Sequence, residues 1–277
     1  MKTSFFSGLV AICLASSFVG RAQADVDSTV LARYSYPIFA LYGQQQFTGT
    51  AFFYRSGDTT FLVSNYHAIK GMSPLKQSIT FNADTLYLKY PVKNSEETKL
   101  LSIDVSDDVT GETEIFSMVD RIDLLKIPLL LPEDAEVHFI NDLIDPAYFD
   151  AVPEEVIVFG FPTQEGAVPA FYSRQQRLAG NVNLRGFADY DASLRVNFPN
   201  SSDSARAILG GTSRYYYFIK PYAAQGYSGA PVLGRFRTAE HQTVYRFVGV
   251  IFAGQPLTRQ TWAIKGEVAW QYLKGML

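Results

Sequence analysis

The chain has 277 residues, 47% of them hydrophobic and 14% aromatic, which is enough apolar material for one large core or two smaller ones. With 24 Lys and Arg against 27 Asp and Glu the net charge is −3, so no broad positive field is available for a phosphate backbone, and nucleic-acid binding is disfavoured. The 21 Phe and 17 Tyr, set against only 18% charged residues, suit pleated, half-buried strands better than solvated helices, and an all-β body is expected.

At the amino terminus Lys2 precedes an apolar run from Phe5 to Val19 and then Ala22-Gln23-Ala24, the order of a charged region, an apolar region and a small-residue cleavage site. Residues 1–24 are therefore read as a signal peptide cut after Ala24, and the mature protein as secreted or periplasmic. The run is shorter than the ~20 residues a spanning helix needs, and no stable membrane insertion is expected after cleavage. Cys13 lies inside this segment and is the chain's one cysteine. Ile12 before it is larger than the small residue a lipoprotein signal carries. The mature protein thus has no disulfide, no thiol chemistry and no Cys/His zinc pattern. His67, His138 and His241 are too widely spaced for a histidine-rich metal site, and no cofactor is expected.

From Tyr36 onward short apolar or alternating runs are broken by Gly, Pro, Asn and Asp, the pattern of many short strands. Strands are predicted at Tyr36–Tyr42, Phe47–Tyr54, Thr60–Ser64, Thr85–Tyr90, Lys99–Asp104 and Leu124–Leu129, with Ser56-Gly57-Asp58 as a hairpin turn. Between Pro132 and Pro153 the chain becomes acidic and proline-punctuated, which reads as a connector between a first unit, residues 25–140, and a second, residues 141–277. Further strands are predicted at Glu155–Phe161, Phe171–Val182, Ser193–Phe198, Tyr215–Lys220, Ala230–Leu233, Tyr245–Phe252 and Thr261–Ile264. Only Gly266–Leu277 carries apolar residues at helical spacing, so one short closing helix is placed there.

Three segments carry residues fit for chemistry. Phe61-Leu62-Val63-Ser64-Asn65-Tyr66-His67 delivers an imidazole just past a buried strand, where the scaffold holds it at a cleft. Asp123 opens the apolar run Leu124-Leu125-Lys126-Ile127, and a partly buried carboxylate there needs a partner. Gly226-Tyr227-Ser228-Gly229 flanks a serine with glycines that permit a tight turn and a concavity of backbone N–H groups. Each has an ordinary alternative: a bonded core histidine, a strand-end acid turned to water, a Gly-Ser loop. Together they supply the hydroxyl, the base and the orienting acid that acyl transfer by serine requires. Asp120 also lies near the second segment, but only Asp123 directly precedes the strand. His138 and His241 lack a strand-end setting, and Ser201, Ser202 and Ser204 lack the flanking glycines.

With the order His, Asp, Ser on the page, the sequence resembles the trypsin-like serine peptidases of the chymotrypsin fold, and more closely their disulfide-free bacterial branch, which includes the high-temperature-requirement proteases. The resemblance rests on Gly49-Thr50-Ala51-Phe52 leading to Ser64-Asn65-Tyr66-His67-Ala68, on Ile122-Asp123-Leu124-Leu125-Lys126-Ile127, and on Gly226-Tyr227-Ser228-Gly229-Ala230-Pro231-Val232. Val158-Phe159-Gly160-Phe161-Pro162 and Phe247-Val248-Gly249-Val250-Ile251 are similar to family strands, so it spans roughly Tyr36 to Leu273. It implies two six-stranded antiparallel β-barrels with the site between them and a polypeptide substrate. His67 is then general base and acid, Asp123 its orienting partner and Ser228 the nucleophile, with the N–H groups of Gly226 and Ser228 as the oxyanion hole.

Two departures stand out. Where trypsin has an Asp before the nucleophile, paired with a new N-terminal amine after activation, this chain has Tyr227, and the expected mature start Asp25-Val26-Asp27 offers no such terminus. What orders the oxyanion loop is therefore open. Ala230 also replaces the usual second glycine after the serine. By the same resemblance Tyr222 floors the primary substrate pocket and the wall strand holds Phe252 and Gly254, which favours small or medium apolar side chains over Arg or Lys. The runner-up is a non-catalytic relative that binds peptides or a partner protein in the cleft. An outer-membrane barrel is disfavoured, because the runs are too irregular for repeated spans of ~10 residues.

Overall fold

The computed structural model describes residues 28–42, 45–70, 83–106, 122–163, 174–183, 215–220, 222–255 and 259–277. The expected signal segment and the expected strand Ser193–Phe198 lie outside them. A short helix α1 (Ser28–Ala32) leads into β1 (Tyr36–Tyr42), β2 (Gln45–Ser56) and β3 (Thr59–Ser64). After a one-turn helix α2 (Tyr66–Lys70) come β4 (Thr85–Pro91), β5 (Thr98–Asp104) and β6 (Leu125–Pro128). These six strands form one antiparallel sheet in the order β5-β4-β1-β2-β3-β6.

Two 3₁₀ turns, Ile140–Leu143 and Pro146–Tyr148, cross to the second unit. There β7 (Glu155–Gly160), β8 (Gln176–Asn183), β9 (Tyr216–Lys220), β10 (Pro231–Arg237), β11 (Thr243–Gln255) and β12 (Gln260–Lys265) close into a barrel in the order β10-β11-β12-β9-β8-β7. Helix α3 (Gly266–Leu273) follows. It stops short of the predicted end because Gly275 turns to φ +69°. There Gly275 N–H donates to the Tyr272 carbonyl at 3.0 Å and Met276 N–H to the Gln271 carbonyl at 2.9 Å, a closure that ends helices.

Alternation explains why these strands read as unbroken apolar runs. Successive side chains of a strand point to opposite faces, and in the strands at the centre, such as β2 and β7, both faces are buried, one inside its unit and one between the units. Phe53 and Leu62 fill the first unit with Ile38, Leu86, Leu88 and Ile127, while their neighbours Phe52 and Val63 face the other way. In β7, Val156 and Val158 fill the second barrel while Ile157 and Phe159 face the shared core. That shared core joins Phe52, Tyr54 and Val63 to Leu233, Phe247 and Val250 and to Val268 and Leu273 of α3. The architecture, two six-stranded antiparallel units with one short C-terminal helix, is chymotrypsin-like. Among the described residues no helix is long and apolar enough to cross a membrane.

Candidate active site

Strand β3 ends at Ser64, and Asn65 caps the turn of α2, its carbonyl accepting the Ala68 N–H at 3.2 Å. His67 therefore sits on a fixed turn at the strand's end. Strand β6 pairs with β3, Leu125 opposite Ser64, so the ladder itself carries Asp123, two residues upstream, to the histidine. Asp123 Oδ1 accepts the His67 backbone N–H at 3.0 Å, and Oδ2 meets His67 Nδ1. Asn65 Nδ2 donates to the Asp123 carbonyl at 2.7 Å. The carboxylate is thus buried, with 1% of its side chain exposed, and has its partners.

An ionised carboxylate only accepts, so Nδ1 of a neutral His67 carries the proton and Nε2 is left with its lone pair. Ser228 Oγ lies 3.1 Å from that Nε2. The serine hydroxyl donates and the imidazole accepts, the direction needed to draw a proton off a nucleophile.

Ser228 is held between two tight turns. Tyr227 N–H donates to the Ala224 carbonyl at 3.3 Å and Ala230 N–H to the Tyr227 carbonyl at 2.9 Å. Gly226 (φ +101°) and Gly229 (φ +85°) take the third position of these turns, where the positive φ of a type II turn calls for glycine. Gly229 N–H donates to the Ile251 carbonyl at 2.8 Å, and Thr50 N–H of the first sheet donates to the Ser228 carbonyl at 2.8 Å. From 226 to 230, the N–H groups of Tyr227, Gly229 and Ala230 are so engaged, while those of Gly226 and Ser228 have no partner among the described residues.

Tyr227, the residue before Ser228, is buried. Its hydroxyl donates to the Gln176 carbonyl at 3.2 Å. Its ring lies so near Gly160 that a Cβ there would stand 2.3 Å from Cδ1. A buried phenol thus docks the residue before Ser228 on β7 and β8.

Burial pulls the His67 imidazole toward its neutral form, but the charge of Asp123 and the bond to it together outweigh that pull, and the pKa is raised above the ordinary histidine value.

The residues expected to shape a substrate pocket fare unequally. Tyr222 is half-buried against Gly254, where a Cβ would meet its ring at 2.8 Å. Phe252 does not line a pocket with its side chain. Alternation along β11 sends Val250 and Phe252 to the shared core and Ile251 to the second barrel, and the Phe252 ring lies 4.6 Å from Tyr216 and 5.9 Å from Trp262. His138 packs on Tyr34, ring centroids 5.6 Å apart, and His241 (φ +61°) lies in the β10–β11 turn, both away from the Ser228 loop. Asp120, Ser201, Ser202 and Ser204 lie outside the described residues. Asn65 and Thr50 stood inside quoted motifs with no role given to their side chains. Their bonds run to residues 58 or more positions away, which a single sequence does not display.

No protein-family model and no curated protein matches the chain. Among solved structures it is similar to a serine endoprotease from Yersinia pestis, at 11% identity and TM-score 0.47, covering 88% of this chain and 63% of that one. It is also similar to the HtrA-type protease AlgW with tripeptide, at 14% identity and TM-score 0.47, covering 88% and 60%. A third, a protease from M. tuberculosis in its active form, aligns at 16% identity and TM-score 0.46, covering 89% and 82%. The chain spans 63% and 60% of the first two. These are likenesses of overall fold.

Proposed function

We propose that this protein is an exported serine endopeptidase that cleaves peptide bonds through an acyl-enzyme on Ser228. The observation that carries this reading is the line of contacts from the Asp123 carboxylate through both ring nitrogens of His67 to the Ser228 hydroxyl. Ser228 Oγ attacks the acyl carbon while its proton passes to His67 Nε2. Asp123 keeps Nδ1–H in place and stabilises the imidazolium. Negative charge on the acyl oxygen is met by the N–H groups of Gly226 and Ser228, a role whose loss costs about 10²–10³ in rate. The imidazolium then protonates the leaving amine as the C–N bond breaks; water, deprotonated by His67, attacks the acyl carbon, and the proton passes to Ser228 Oγ as the acid leaves.

Export rests on the sequence of residues 1–24. Tyr222 and Gly254, in close contact, are assigned to the primary pocket, with small or medium apolar side chains preferred.

The test is labelling by a fluorophosphonate and hydrolysis of unfolded protein, in wild type and in Ser228→Ala. Labelling and hydrolysis that vanish with the hydroxyl are expected. Labelling that persists in the variant overturns the assignment to Ser228. A folded wild type that resists the probe yet binds peptides saturably overturns the hydrolase reading and leaves a binding cleft.

A further inference from the structure

The loop carrying Ser228 belongs to the second barrel, yet two of the bonds that fix its peptide planes come from β2 of the first sheet. Thr50 is fully buried, and its N–H and its hydroxyl both reach this loop. Its register partner on β1 is Pro37, which has no N–H to offer. Thr50 N–H donates to the Ser228 carbonyl at 2.8 Å, and its own carbonyl accepts the Ser64 hydroxyl at 2.8 Å. Thr50 Oγ1 accepts the Phe161 N–H at 3.2 Å and donates to the Gly226 carbonyl at 2.7 Å.

Two residues earlier and on the same face of the strand, Thr48 Oγ1 meets Thr163 Oγ1 at 2.5 Å. The Thr163 N–H in turn donates to the Gln225 carbonyl at 2.9 Å. A trans peptide holds its N–H opposite its C=O, so pinning the Gln225 carbonyl aims the Gly226 N–H, and pinning the Gly226 carbonyl fixes the next plane. This matters because a tight turn has two forms, type I and type II, that differ by rotation of the central peptide. In the turn from Ala224 to Tyr227 that central peptide is Gln225–Gly226, the one carrying the Gly226 N–H.

We propose that Thr50 is a positioning residue: its Oγ1 holds Phe161, and with it the 161–163 segment whose Thr163 N–H pins the central peptide, as well as the plane after Gly226, and so, aided by the Thr48–Thr163 contact, it keeps this turn in the form with Gly226 N–H turned to the cleft. The proposal deepens the hydrolase reading and rests on it. Thr50 touches no reacting atom; it acts through Gly226.

The test compares Thr50→Val, which keeps the shape and loses both side-chain bonds, with Thr50→Ser, which keeps them. In folded Thr50→Val, kcat on a peptide substrate is expected to fall by about tenfold or more with KM within about twofold, the signature of an interaction made in the transition state. Affinity for a peptide aldehyde, whose adduct places an oxyanion at the same donors, falls in step. Thr50→Ser restores both. Full kcat in folded Thr50→Val, or equal impairment in Thr50→Ser, overturns the proposal. If Thr50→Val does not fold, Thr48→Val at the exposed end of the brace takes its place, with about a fivefold loss of kcat expected and an unchanged kcat overturning the proposal.

A readout independent of turnover separates this proposal from the hydrolase reading. In the Ser228→Ala background, ¹⁵N relaxation should find the Gly226 amide rigid while Thr50 is present and mobile once Thr50→Val is added. Wild type that lacks probe reactivity while this contrast holds sinks the hydrolase reading and supports the brace. Active wild type with a Gly226 amide indifferent to Thr50→Val sinks the brace alone.

Discussion

At His67 burial and charge pull in opposite directions, and Asp123 wins. The base must be neutral to take the serine proton, so activity should be lost as pH falls through a value above the ordinary ~6.5 of histidine. Stability runs the other way. A group whose folded pKa is raised contributes stability that is fully present below ~6.5 and is lost as pH rises through the folded value. In that window activity climbs while the His67 contribution to stability declines. Asp123→Asn removes both raising influences and leaves burial, so the imidazole should titrate below ~6.5, together with a rate loss of about 10⁴-fold. The pH profile of kcat/KM and the ring shifts of His67 in both proteins check this, and a wild-type acid limb at or below ~6.5 contradicts it.

At the scale of the turn, two glycines with left-handed backbones carry very different weight. Gly57, in the β2–β3 hairpin, has φ +55° and open space around it. Gly57→Ala should cost about 1 kcal/mol of stability from backbone strain alone and leave activity unchanged. Gly226 has φ +101°, and a Cβ there would stand 2.2 Å from the Phe161 carbonyl oxygen and 2.8 Å from Pro162 Cα, both backbone atoms. Gly226→Ala forces the turn out of its present form and should reduce kcat at least ~10²-fold. Thermal melts and steady-state kinetics on the two variants separate the effects, and comparable kinetics would contradict the role given to Gly226.

The same scale shows what the sequence made legible. Strands such as β2 and β7 declared themselves because alternate residues fill different cores, so Ala51–Tyr54 and Val156–Phe159 are apolar throughout. The five-residue helices α1 and α2 are too short to display a period. Phe252 follows the alternation of β11, with Val250 and Phe252 in the shared core and Ile251 in the second barrel, whereas the bulge after it, which puts Ala253 on the same side, leaves no mark in the apolar pattern. His67, Asp123 and Ser228 stood out because their residue types and order fit a known chemistry. Thr50 did not, since a threonine in a strand is ordinary and its partners lie 111 and 176 positions away.

For the whole molecule, the site exists only while both sheets are docked, because His67 and Asp123 come from one and Ser228 from the other. The docking surface is itself a core. Phe52 has no exposed surface and sits 5.9 Å, ring to ring, from Phe247 across the boundary. The crossing segment is tied down rather than loose: Asn141 exchanges bonds with the Arg55 backbone at 2.8 and 2.9 Å, Ile140 is fully buried and Arg246 reaches Asp145 at 3.4 Å. From the far end, Lys126 of β6 donates to the Leu273 carbonyl of α3 at 3.4 Å. Two units that share so much apolar surface should unfold in one step. Phe52→Ala should remove about 3–5 kcal/mol of stability, and native-state amide exchange should register that loss equally in β1–β6 and β7–β12. Activity should disappear with the same denaturant midpoint. Residues 25–140 or 141–277 expressed alone expose Phe52 or Phe247 and should show no cooperative melt. Exchange that slackens in one sheet only, or an isolated half with its own sharp transition, would mean that the interface is an ordinary domain contact and that the cleft can open without unfolding either side.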